Sequence, residues 1–127
     1  MKIASNIAGG LLGFLFVAFA SIYFFELMEM PPPPEGSAAA LFMGALYPTG
    51  YLDFVKVMEI LGGILVAIPR LRNFGLLVLG PIIINILAFH TFLNKGAGLL
   101  DPPLILIVLL AAFLLWSGRK AFMGLLR

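Results

Sequence analysis

The chain has 127 residues, 62% of them hydrophobic and 11% charged, with a formal net charge of +2; soluble domains average about 25% charged residues. With a mean hydropathy of +1.13, this composition reads as a single integral membrane domain, and the basic residues read as topology signals rather than a nucleic-acid surface. The absence of cysteine excludes disulfides, thiolate chemistry and cysteine-ligated clusters, and a single histidine excludes a metal site built from several imidazoles within one chain.

In chain order, Lys2 precedes an apolar first span over about 5–27. It contains Ala18-Phe19-Ala20, a small-x-small pattern like a signal-peptidase site, but the run is nearer a spanning length of about 20 residues than a signal core of about 7–15. The span is therefore read as retained. Gly9 and Gly13 stand at the small-residue spacing that lets helix backbones approach closely in lipid.

The outer loop, 28–50, carries Glu29 and Glu35 around Pro31-Pro32-Pro33-Pro34. Four prolines in polyproline II extend roughly 12 Å, and the first span has to end by Met30 because a residue before proline leaves the helical region. Ser37–Leu46 is too short to span and too apolar to float in water, so a short interfacial helix is expected there, closed by the Pro48-Thr49-Gly50 turn.

The second span covers about 51–68 and is stopped by Pro69; Gly62, Gly63 and Ala67 suggest close packing. After Arg70 and Arg72 in a tight turn, the third span covers about 74–93, with Gly80-Pro81 expected to kink it. Asp101-Pro102 has the form of an N-cap and first helical position, opening a fourth span over about 102–119. The predicted fold is an all-α, integral membrane four-helix bundle with one extra interfacial helix.

Lys2, Arg70, Arg72, Arg119, Lys120 and Arg127 fall on one side of such a bundle, and the acidic loop with Lys95 on the other. By the positive-inside rule both termini are cytoplasmic and the proline loop lies outside.

Within these spans Asp53, Lys56, Glu59, Asn85 and His90 are polar side chains that a membrane segment carries only under compulsion. Counting from Tyr51 at 1.5 Å per residue, Lys56 is roughly 8 Å and Glu59 roughly 12 Å deep; counting from Leu93, His90 is roughly 5 Å and Asn85 roughly 12 Å deep. Tyr23 falls in the same outer half. Lys56 and Glu59, three residues apart, can pair. The economical arrangement is one outward-opening pocket lined by Tyr23, Lys56, Glu59, Asn85 and His90, with Glu59 facing Asn85 and a roof made of Ser37–Leu46, Tyr47, Tyr51 and Phe54. Plainer readings stay open: Asp53 as a helix N-terminal charge, Lys56 snorkelling to headgroups, Asn85 as an interhelical strut, His90 as a packed hydrogen-bonding residue.

The strings Glu59-Ile60-Leu61-Gly62-Gly63 and Pro81-Ile82-Ile83-Ile84-Asn85-Ile86-Leu87-Ala88-Phe89-His90 resemble the DoxX family of small bacterial membrane proteins. The resemblance is detailed over Thr49–Leu93 and extends in layout to the whole chain, the proline loop excepted. It implies four transmembrane helices in the inner membrane of a bacterium, and a redox or quinone setting with a redox-enzyme partner subunit. Glu59, Asn85 and His90 would then be family-typical positions without an assigned role.

Three functions compete. The first is an accessory subunit of a membrane redox system, binding a quinone or similar lipophilic ligand. The second is a non-enzymatic binder or transporter of a small lipophilic or weakly acidic compound, with Lys56 and Glu59 as its charge relay. The third is a scaffold, in which the polar residues serve only packing against one another or in a homo-oligomer. Catalysis by the isolated chain has least support, there being no nucleotide or flavin loop.

Overall fold

The computed structural model describes residues 2–26 and 32–126. Its helices are α1 (Lys2–Phe25), α2 (Ala38–Leu46), α3 (Tyr51–Ala67), α4 (Arg72–Ala88), α5 (Pro102–Ser117) and α6 (Arg119–Met123). A 3-10 turn, Pro69–Leu71, leads into α4, and a π-helical segment, Phe89–Leu93, continues it. No strand occurs among the described residues, so the all-helical class holds.

The helix ends follow local chemistry. Ser37 caps α2 by accepting a hydrogen bond from the Ala40 amide, 3.1 Å. Asp101 occupies the N-cap position of α5 with Pro102 behind it, but its side chain makes no capping bond, contrary to the expected role. The first helix stops at Phe25, where Glu26 turns to φ 51. Helix α4 runs uninterrupted through Pro81. Expectations for Glu29, Met30, Pro31 and Arg127 lie outside the described residues.

Two continuous stretches, Lys2–Phe25 and Pro69–Leu93, are long and apolar enough to cross a membrane. Helix α3, with 17 residues, and α5, with 16, reach only about 26 and 24 Å at 1.5 Å per residue.

Helix α1 lies antiparallel to α3, as shown by the pairing of Gly13 with Gly63, Gly9 with Val66, and Tyr23 with Asp53. The backbones nearly touch: a Cβ on Gly13 would collide with the Gly63 carbonyl, and one on Gly63 would lie 2.9 Å from the Gly13 carbonyl. At the end of this seam Arg72 is buried, 9% exposed. Its Nε donates to the Val66 carbonyl, 2.9 Å, and its Nη1 to Asn6 Oδ1, 3.1 Å. Placed by the sequence in the tight turn after the second span, Arg72 ties α1, α3 and α4 together.

Helices α4 and α5 close the bundle, the far end of α5 being joined to α1 by the Ser5–Ser117 hydroxyl pair at 2.8 Å. A core of Ala8, Leu12, Val66, Leu76, Leu79, Ala111 and Leu114 fills the half nearer the chain's N-terminus. The other half, where α1 ends and α3 and α5 begin, holds the polar side chains.

Packing at Gly13 yields a direct expectation. Gly13→Val forces α1 off α3 and is expected to cost about 1–3 kcal/mol or more, the usual range for overpacking. Gly10, with open space around its Cβ position, supplies the control: Gly10→Val is expected to change stability by no more than about 0.5 kcal/mol. Thermal unfolding of the two purified variants checks the difference.

Candidate functional site

Helix α1 presents Phe16, Phe19, Ile22 and Tyr23 along one stripe at helical spacing. Across from this stripe, α3 presents Lys56 and Glu59, one turn apart. The end of α4 and its π-helical continuation supply Ile86 and His90, and the start of α5 supplies Asp101, Pro102, Pro103, Leu104 and Ile107. Together they line a cavity of about 430 Å³ that reaches down to Phe16 and Ile107, above the dense core.

Its polar side chains are held by one another. Glu59 is 5% exposed, and its Oε2 lies 3.4 Å from Lys56 Nζ. That pairing is what burial demands, since a lone buried charge costs several kcal/mol. The same ammonium sits 5.5 Å from the centre of the Tyr23 ring, a cation–π contact. Tyr23 in turn donates its hydroxyl to Asp53 Oδ1, 2.8 Å. Lys56 therefore does not snorkel away; it bridges the α3 carboxylate and the α1 aromatic.

His90 is positioned by an unusual stretch of backbone. It lies in the π-helical segment, its carbonyl accepts from the Gly96 amide at 2.7 Å, and its Nδ1 lies 3.0 Å from the Ala97 carbonyl. Gly98, at φ 86, passes directly over the ring, where a Cβ would stand 2.9 Å from His90 Nδ1 and 3.5 Å from Asp101 Oδ2. Only glycine fits both that dihedral and that clearance. Single-turn π segments inside helices often occur at functional sites.

Tyr23, Lys56, Glu59 and His90 are thus brought to one cavity, and Asn85 is not. Asn85 is exposed and donates from Nδ2 to the Pro81 carbonyl of its own helix, 2.8 Å. Helical phase explains the difference: two residues, about 200°, separate it from buried Ile83, whereas Ile86 falls on the cavity side. Being level with Glu59 did not place it opposite. The expected roof is also absent from the lining. Phe42 of α2 packs on Phe89 at 5.6 Å and Tyr47 on Tyr23 at 6.2 Å, while Tyr51 and Phe54 pair with each other at 6.5 Å. The loop over 96–101 forms the lip instead, and it brings Asp101, which sequence reading treated only as a cap.

The cavity thus offers an apolar body with one ion pair inside and His90 and Asp101 at its lip. No group of three His, Asp or Glu side chains among the described residues is placed to hold a metal ion. Lys56→Met leaves the Glu59 carboxylate unpaired and is expected to lower stability by about 1–3 kcal/mol. Adding Glu59→Gln removes the orphaned charge and is expected to restore most of the loss. A double-mutant cycle on thermal unfolding measures this coupling, and additive losses would contradict the pairing.

No family model and no solved structure matches the chain. Among curated proteins it is similar to the uncharacterized protein YwoB of Bacillus subtilis (strain 168), with 32% identity over 124 residues covering 89% of this chain and 79% of the relative. At that identity and coverage, the chain belongs to the same protein family as YwoB.

Proposed function

We propose that the protein is a four-span membrane protein that binds a small lipophilic molecule in the cavity between α1, α3, α4 and α5, as an accessory component of a membrane redox system. The observation that carries this reading is a mostly apolar cavity of about 430 Å³ meeting the Lys56–Glu59 pair at 3.4 Å. Small-molecule sites have this make-up, an apolar lining with a few convergent polar groups.

The membrane setting draws support from the outside of the bundle. Ile7, Phe14, Phe74, Ile84 and Leu109 are 58–67% exposed, and α4 and α5 have almost no polar face. Helices apolar all round are found inside large proteins or in lipid, and the exposed apolar flanks of this bundle favour lipid. Helices α3 and α5 pack against the two longer stretches and would cross with them, their short ends completed by flanking apolar residues. With both termini cytoplasmic, the cavity would open outward. The redox setting rests on the resemblance to DoxX-like proteins.

The tight core beneath the cavity favours a binder over a transporter, since Leu12, Val66, Leu79 and Leu114 leave no path to the opposite end. Polar groups serving packing alone would be spent across a closed interface, whereas these border a cavity. Mass spectrometry of lipophilic compounds co-purified with the protein tests the proposal. An apolar compound enriched over bulk lipid, and lost in Phe16→Trp, which fills the cavity floor, is the expected result. Equal recovery from wild type and variant would contradict it.

A further inference from the structure

The hydrogen-bonding groups around the cavity can be counted as donors and acceptors. On the donor side, the Tyr23 hydroxyl is given to Asp53. The Lys56 ammonium turns one of its three N–H groups to Glu59 and faces the Tyr23 ring. At His90 the partner of Nδ1 is the Ala97 carbonyl, which can only accept. Nδ1 therefore carries the proton of the neutral ring, and Nε2 is left as an acceptor.

On the acceptor side stand His90 Nε2 and the carboxylate of Asp101, whose side chain does not cap its helix. Both belong to the lip, brought together beside Gly98. The side chains of the lip thus offer acceptors to a ligand and no donor.

We infer that the cavity selects a neutral apolar molecule carrying a hydroxyl donor, a long-chain phenol in its simplest form, by accepting its O–H at the His90–Asp101 lip. The inference rests on the reading of the cavity as a lipophilic site and adds the polarity of the recognised group. A phenol or other hydroxylated ligand places its apolar part among Phe16, Phe19, Ile22 and Ile107 and gives its proton to an unspent acceptor. A ligand with only carbonyl or ether oxygens meets the acceptors of the lip with an acceptor.

The test compares a 4-alkylphenol with its methyl ether, which has the same body and lacks the donor. Binding to the full chain in lipid nanodiscs is measured against protein-free discs, to remove partitioning into lipid. The phenol is expected to bind about tenfold more tightly than the ether, the usual worth of one hydrogen bond. His90→Phe and Asp101→Ala are each expected to bring that ratio toward one. Equal binding of phenol and ether to the wild type would overturn the inference and leave the lipophilic site standing. Binding of neither would overturn both. The wild-type ratio decides the matter even if a variant fails to fold.

Discussion

The Glu59 carboxylate lies deep among apolar helices with Lys56 Nζ 3.4 Å away, and that pair constrains everything around it. A buried charge must keep its partner, so α3 has to turn both side chains to the same face. Lys56 must also be kept from reaching for water, and the ring of Tyr23 at 5.5 Å does so from the opposite helix. Tyr23 is fixed by Asp53. A chain of contacts from Asp53 through Tyr23 and Lys56 to Glu59 thus joins α1 to α3 at the polar end of the bundle.

At the other end the same two helices are joined by the absence of side chains. Gly13 and Gly63 let the backbones meet, and Gly9 leaves room for the Arg72 guanidinium. Dispersion between closely packed backbones works in lipid, where apolar burial drives no association between helices. The division of labour is physical: dense packing makes one half rigid, and the other half can hold a cavity without losing its geometry.

Much of this was legible in the sequence, for identifiable reasons. The i,i+3 spacing of Lys56 and Glu59 specified the pair, and the small residues of the first two long helices specified their contact. Asn85 was misplaced because depth along a helix gives height and not azimuth; Pro81 offered it a carbonyl on its own helix. Arg72 was placed in its turn, but its tie to the first helix was not visible, because sequence alone does not reveal a pocket created by a missing Cβ at Gly9. Asp101 escaped notice because Asp before Pro is a familiar helix start, and only the loop over His90 turns it into part of the lip.

The central claim is that a lipophilic ligand enters between the helices, above the core and beneath the loop over 96–101. Photoaffinity labelling with an alkyl diazirine probe, followed by sequencing of the modified peptides, tests it most directly. Saturable labelling confined to Phe16–Tyr23 and Gly98–Ile107, and suppressed by excess unlabelled competitor, is the result predicted. Labelling that never saturates and falls on the outward-facing Phe14, Ile84 and Leu109 would contradict the claim, because it would place the probe in the surrounding lipid alone.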